Sequence, residues 1–364
     1  VINKTFKYRL YPSKSQLVFL DRTLETCRYW YNDCLAERKD AWENEKKSIG
    51  KFKQLARVKD YRKENPYAAQ VHSHIMQVVV QDLDKAFQAF FRRVKSGETP
   101  GYPRFKGRNR FDSFGLKEYG NGFKVDGRRL RVAGIGRLRV RWHREMEGKV
   151  KTVRILKQAG EWTACFSCEV EEKILPAMGK QVGIDVGIHH LLATSDGDVV
   201  DNPQWYRLAQ NKLRIIQRTV SRRTMGGANR RKSVLALQRQ HETLSNSRKD
   251  FLNKLAFQLI TNYDLIALEK LNINGMVRNR RLSKSIMDSG WGYLSKRISD
   301  KAVEAGRHVV QVNPAYTSKT CSSCGTLFEN LTLADRWVDC SCGLSIDRDV
   351  NAAINILNRA GHAR

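Results

Sequence analysis

The chain has 364 residues, enough for two or three domains with their own cores, and its 41% hydrophobic content excludes disorder throughout. Lys and Arg number 66 against 37 Asp and Glu, a formal charge of +29 that exceeds any need of solubility and calls for a polyanionic partner. No run of 18 or more apolar residues and no basic amphipathic helix with a lipid-facing aromatic edge is present, so the expected partner is nucleic acid and not a membrane.

The opening Val1-Ile2-Asn3-Lys4 lacks the order of a signal peptide, and a cytoplasmic setting with reduced thiols is expected. Residues 4–11 alternate and end in Tyr11-Pro12, a strand closed by a turn. Ser13 with Gln16 forms a capping-box pattern. Leu17, Leu20, Leu24, Cys27, Tyr31 and Cys34 then mark the buried stripe of a helix to about residue 45, which makes Cys27 and Cys34 core residues. A second helix is expected over 68–96, with Ile75, Val78, Val79, Leu83, Ala86, Phe87 and Phe90 inward. From Pro100 the texture becomes short alternating segments such as Arg137–Trp142, strands of a small barrel. The first strand is expected to join that barrel, leaving the helices of 13–96 as an insertion. Trp162–Val170 also alternates, which sends Cys165 and Cys168 to opposite faces and favours core positions over a zinc knuckle.

Around residue 181 a strand meander begins: Val182–Gly187, Leu191–Thr194, the turn Asp196-Gly197, and Val199-Val200. Two helices are expected from 204 to 262, broken at Gly226-Gly227. In the second, Val234, Leu237, His241, Leu244, Arg248, Phe251 and Leu255 form a packing seam in which His241 is structural. Asp264–Glu269 is a short apolar run ending in an acid, and a helix follows at 287–306. From Asp349 on, Ala352, Ala353, Ile356 and Leu357 share one helical side. Strands alternating with helices indicate an α/β domain with a mixed sheet.

Two apolar strands thus deliver Asp185 and Glu269, and the last helix opens with Asp349. Acids so placed are costly unless ionised against a cation, and hard oxygen ligands suit Mg²⁺ or Mn²⁺. Such a set can hold two ions that hydrolyse a phosphodiester. The competing reading pairs Asp185 with an Arg and makes Glu269 a strand cap. Cys321 and Cys324, then Cys340 and Cys342, match a structural Zn²⁺ ribbon, although the second pair is C-x-C. Basic clusters at Arg92-Arg93, Arg104/Lys106/Arg108/Arg110, Arg222-Arg223, Arg230-Arg231-Lys232 and Arg278/Arg280/Arg281 are interleaved with Phe91, Tyr102, Phe105 and Phe111. They suit nucleic-acid backbone and unstacked bases.

In Phe6–Pro12, Gly183–Gly187, Ala267–Leu271, Asn313–Cys321 and Asp347–Ile356 the chain resembles the TnpB family, encoded by insertion sequences and related to compact type V CRISPR effectors. The resemblance implies a mixed α/β and α+β multidomain fold. A wedge barrel takes 1–12 and 98–180, a helical recognition domain 13–97, an RNase H-like RuvC domain 181–315 and 346–364, and a zinc ribbon 316–345. It implies an RNA-guided, metal-dependent DNA endonuclease with Asp185, Glu269 and Asp349 as catalytic metal ligands and Asp347 as a neighbour. A guide RNA from the transposon end would pair with double-stranded target DNA in a prokaryotic cytoplasm, where the protein would be nucleoid-associated. Ser73, His74 and Gln77 would read a short flanking motif, and Arg104, Lys106, Arg222, Arg223, Arg230, Arg231, Arg280 and Arg281 would hold nucleic-acid backbone. A guided repressor without cleavage, or a strand-transfer transposase, are the alternatives.

Overall fold

Strand β1 (Ile2–Tyr11) turns Phe6, Tyr8 and Leu10 into the core on alternate positions, with the other residues of its second half outward, the period-two signature of a half-buried strand. Residues 1–332 and 334–361 are described in this computed structural model. They fall into two compact units that meet in sequence at Glu171 and Glu172.

In the first unit β1 leads into helix α1 (Lys14–Glu45), where Ser13 Oγ accepts from Gln16 N and Gln16 Oε1 accepts from Ser13 N. This reciprocal cap contributes about 1 kcal/mol. The helix buries Leu20, Leu24, Cys27, Trp30, Tyr31 and Cys34. Two helices that the sequence did not announce follow, α2 (Lys51–Glu64) and a short α3 (Pro66–Ala69), and the helix expected over 68–96 forms as α4 (Ser73–Lys95), its start five residues later. Asn65 caps α3 through Tyr67 N and Ala68 N ahead of Pro66, and the chain turns at Gln70 before the His72 ring accepts from His74 N to start α4. Helix α2 escapes sequence reading because its buried positions are only Gln54 and Val58. The polar one, Gln54, is satisfied by Arg38, Glu37 and the Cys34 carbonyl.

Seven further strands complete the unit: β2 (Ser113–Leu116), β3 (Glu118–Tyr119), β4 (Gly122–Asp126), β5 (Arg129–Val132), β6 (Gly136–Arg141), β7 (Lys149–Gln158) and β8 (Glu161–Val170). Their order is β2-β7-β8-β1-β6-β5-β4-β3, with β1 antiparallel to both β8 and β6. The edge strands β2 and β3 are separated only by Lys117, so the sheet must roll until its two edges meet. Helices α1–α4 lie in the chain between β1 and β2. On β8, Cys168 points into the core and Cys165 is half-buried on the opposite face.

The second unit holds β9 (Gln181–Asp185), β10 (His190–Thr194), β11 (Val199–Asp201), α5 (Trp205–Arg222), α6 (Ala228–Asn262), β12 (Leu265–Glu269), α7 (Ile273–Met276), α8 (Ser283–Ser289), α9 (Trp291–Ala305) and β13 (His308–Val312). A 3-10 turn at Thr317–Lys319, the hairpin β14 (Trp337–Asp339) and β15 (Ser345–Asp347), and α10 (Arg348–Gly361) follow. Residues 362–364 of the expected final segment lie outside the described residues. The five-stranded sheet has the order β11-β10-β9-β12-β13, in which β9, β12 and β13 run parallel and β10 is antiparallel to both its neighbours.

One face of this sheet, Val182, Ile184, Ile266 and Leu268, packs on Leu252, Leu255, Leu259, Leu294 and Ile298 of α6 and α9. The other face, Leu265, Ala267 and Val312, packs on Ile356 and Ala360 of α10. Contact on that side is so close that a Cβ on Gly183 would lie 2.0 Å from the Ala353 carbonyl oxygen, so only glycine lets α10 settle there. The expected helix at 287–306 begins earlier, at Ser283, and is divided by Gly290 in the left-handed conformation. The seam expected along α6 is fully buried only from Leu252 onward. Val234, Leu237 and Leu244 are half-buried and His241 is exposed, because the first part of α6 is the outer arm of a hairpin with α5.

Candidate active site and metal centre

Strands β9 and β12 are parallel neighbours with Ile184 opposite Leu268, a register that sets their terminal acids, Asp185 and Glu269, abreast. By the alternation of the pleat, both side chains share the α10 face with Gly183 and Ala267. Asp349 enters from the first turn of α10 and is buried, at 8% exposure. Asp347 is the cap of that helix, its Oδ1 accepting from Asp349 N at 2.8 Å and Val350 N at 3.1 Å. Gly187 leaves room beside the acids: a Cβ there would stand 2.8 Å from the His190 carbonyl oxygen and 4.0 Å from Asp349 Oδ2.

Asp185 feels both other carboxyls. Burial pushes the Asp185 carboxyl well above its ordinary value of 3.8, and the charges of Glu269 and Asp349 push it further, against the Arg348 guanidinium and the Val186 amide. Burial likewise raises Glu269, opposed by a hydrogen bond donated by the Thr317 hydroxyl and by Arg359. Repulsion of this kind is what a bound cation relieves. Among the described residues the only His, Cys, Asp and Glu group whose ligand atoms all lie within 4.8 Å of one another is the cysteine set, so the acids are not that tightly clustered. A pair of ions about 4 Å apart needs no tighter clustering, and an all-oxygen donor set fits Mg²⁺ or Mn²⁺.

The pH consequence has a definite sign. An acid whose folded-state pKa is raised holds its proton longer in the native state, so stability falls as pH rises from about the unfolded value through the raised one. Metal-free Asp185→Asn is therefore expected to melt above the metal-free parent at pH 7, by roughly 2–4 °C for each kcal/mol relieved. The difference should shrink as pH falls toward 3.8. Thermal melts across that range check it, and a variant melting lower at every pH would contradict the repulsion.

Cys321, Cys324, Cys340 and Cys342 converge, with Sγ separations of 3.7 Å between Cys321 and Cys342 and 3.5 Å between Cys324 and Cys340. Tetrahedral zinc with Zn–S bonds near 2.3 Å places sulfurs about 3.8 Å apart, so the four thiols fit the ion. Gly325 and Gly343, both at positive φ, turn the chain back after each pair. A zinc ion held by all four would have no position left for water, the pattern of a structural site.

A Streptomyces pristinaespiralis protein named "Putative RNA-guided DNA endonuclease" is 33% identical over 98% of this chain and 89% of its own length. The chain belongs to the TnpB family. An Escherichia coli K12 relative, "Putative RNA-guided DNA endonuclease InsQ", is 30% identical over 99% of the chain and 92% of its own length. Family models described as "Probable transposase" and "Cas12f1-like, TNB domain" match residues 165–280 and 291–356. A third, described as "Helix-turn-helix domain", matches residues 2–47, which here are one strand and one long helix. Of solved structures, a Cas12f1–sgRNA–target DNA complex superposes with a TM-score of 0.58 at 14% identity, covering 98% of this chain and 99% of that one, which shows a shared fold.

The remaining residues singled out in this TnpB chain are scattered. Ser73 and Gln77 are half-buried on α4, whereas His74 is buried, with Nε2 3.5 Å from Glu118 Oε2. Arg104, Arg222, Arg223, Arg231, Arg280 and Arg281 are exposed. Lys106 is half-buried, its backbone held at both N and O by the Asn32 amide. Arg230 donates to the Val220 carbonyl at the end of α5 and is thereby committed to closing that helix. Sequence reading missed Thr317, whose hydroxyl bonds Glu269, and Asn351 and Asn355, which grip the turn around it. The two asparagines stand four apart in the helical stripe after Asp349, a polar pair on a buried face that could have marked them. No helix among the described residues is long and apolar enough to cross a membrane.

Proposed function

We propose that this chain is an RNA-guided DNA endonuclease with Asp185, Glu269 and Asp349 as its catalytic carboxylates. The observation that carries the reading is a buried Asp185 carboxyl whose ionisation is opposed by the charges of Glu269 and Asp349, brought beside it from the adjacent parallel strand and a helix start. The sheet order β11-β10-β9-β12-β13, with α10 laid on the face that bears the acids, supports an RNase H-like RuvC domain into which the cysteine ribbon is inserted. The rolled eight-stranded sheet supports the wedge barrel, and α1–α4 the inserted recognition domain.

The three carboxylates would hold Mg²⁺ or Mn²⁺, which when bound supplies the charge that activates water and stabilises the departing phosphodiester oxygen. The chain's own contribution is positional. Asp347 fixes the helix start that aims Asp349, Thr317 orients Glu269, and Gly187 keeps the space beside them open. Guide RNA and target DNA are the partners, as in the Cas12f1 complex of the same fold. The exposed arginines within each unit supply sequence-independent contacts to the backbone, and Ser73, His74 and Gln77 are assigned to the flanking motif. A guided repressor would require a missing acid, and all three are present.

The test is to purify the protein with RNA transcribed from the adjoining element end and to challenge it with plasmids carrying the guide-matched target beside a randomised flank. Linearised product confined to matched plasmids with one flank class is expected with Mg²⁺ or Mn²⁺. Cutting that ignores the guide, or strand joining, would overturn the proposal.

A further inference from the structure

The carboxylate site and the four-cysteine centre are bound together by a short series of hydrogen bonds. Thr317, only 4% exposed, sits in the turn that leads from β13 to Cys321. Its hydroxyl donates to Glu269 Oε1 at 2.5 Å, with the Pro314 carbonyl oxygen as a second acceptor at 3.1 Å. A hydroxyl has one proton, and an ionised carboxylate is the stronger acceptor of the two, so the bond to Glu269 prevails once that acid is charged. The turn in its place is gripped from α10. Asn355 Nδ2 donates to the carbonyls of Thr317 and Thr320, Asn351 Nδ2 donates to Thr320, and Ser322 N donates to Asn351 Oδ1. Asn351 is fully buried and Asn355 nearly so, in the helix that opens with Asp349.

From this arrangement we infer that Thr317 is a positioning residue for the cation site: it holds the Glu269 carboxylate in the rotamer that presents its free oxygen toward Asp185 and Asp349. The inference rests on the catalytic reading of the three acids. A glutamate at a strand end has three side-chain torsions, and without a partner it spreads over several rotamers. Fixing one oxygen leaves the other aimed, which is how outer partners of metal-binding carboxylates contribute to affinity. The Asn351 and Asn355 clamps hold Thr317 and Asp349 to the same helix, so two of the three acids share one frame.

The experiment is a calorimetric titration of Mn²⁺ into the full chain, freed of nucleic acid and loaded with zinc, for the parent, Asp185→Ala, Thr317→Val and Thr317→Ser. Valine keeps the shape and removes the donor, whereas serine keeps the donor and removes the methyl group. Thr317→Val is expected to weaken Mn²⁺ binding about 10-fold or more, the effect usual for outer-partner loss. Thr317→Ser should stay within about threefold of the parent, since it retains the donor. Parent-like binding by the valine variant, or equal losses in both variants, would overturn the inference and leave the carboxylate reading standing. Identical Mn²⁺ binding by the parent and Asp185→Ala would instead remove the carboxylate reading, and this inference with it.

Discussion

Asp185→Ala is expected to slow guide-dependent DNA cutting by about 10³-fold or more while target binding persists. Metal-held charge stabilisation amounts to several kcal/mol of the barrier, and each 1.4 kcal/mol is a factor of ten. Loss of one of the three carboxylates proposed to hold the cations should forfeit most of it. The variant also separates chemistry from folding. Asp185 is an acid whose ionisation is opposed by burial and by two neighbouring carboxylates, so its removal relieves the metal-free fold. A dead enzyme that melts no lower than its parent cannot be dismissed as unfolded. Asp347→Ala makes a useful contrast, since that carboxylate caps α10 and its loss should cost about 1 kcal/mol of stability with a smaller loss of rate. Guided cutting by Asp185→Ala at near the parent rate would remove the acid from the mechanism. Plasmid linearisation and a mobility shift on the same target measure the two properties separately.

The parts of this architecture that sequence carries best are those with a strong local period. The stripe of α1, the alternation of β1 and β8, the glycine break between α5 and α6, and the acids that end β9 and β12 all follow from spacing alone. What escapes is set by contacts distant in sequence. Helix α2 buries a glutamine in place of a leucine, and β13 is an edge strand with one fully buried residue, so neither has an apolar period to read. His241 sits in a heptad-like pattern but on the part of α6 that no core covers, and there the pattern overstates burial. Gly183 is visible in the sequence, yet its reason, the Ala353 carbonyl pressed against it, exists only once α10 is docked. The acids were legible because a carboxylate in an apolar strand is anomalous by itself. Thr317 was not, because a threonine in a polar loop is ordinary until its partner, 48 residues earlier in the chain, is in view.

That distant coupling makes the cysteine centre the second place where one change should have a large effect. Cys321→Ser is expected to abolish zinc retention and to lower cutting at least 10-fold, roughly the effect of losing an outer partner of the metal ligands. Cys321 is buried, its amide donates to Thr326, and the neighbouring Thr320 carbonyl and Ser322 amide are the groups that Asn351 and Asn355 grasp. Structural zinc in small sites supplies on the order of 10 kcal/mol of folding free energy, and among the described residues no hydrophobic cluster lies within the ribbon to replace it. Once the ribbon opens, the turn bearing Thr317 loses its anchor from one end and Asn351, fully buried, is left with unpaired amide groups. The five-stranded sheet has its own core against α6 and α9 and should stay folded, so the damage should appear as lost cutting and lost zinc with most of the secondary structure retained. Metal analysis, circular dichroism and plasmid cleavage on one preparation decide the matter. If a zinc-free chain cuts as fast as its parent, the ribbon and the carboxylates are mechanically independent, and the hydrogen bonds between them serve packing alone.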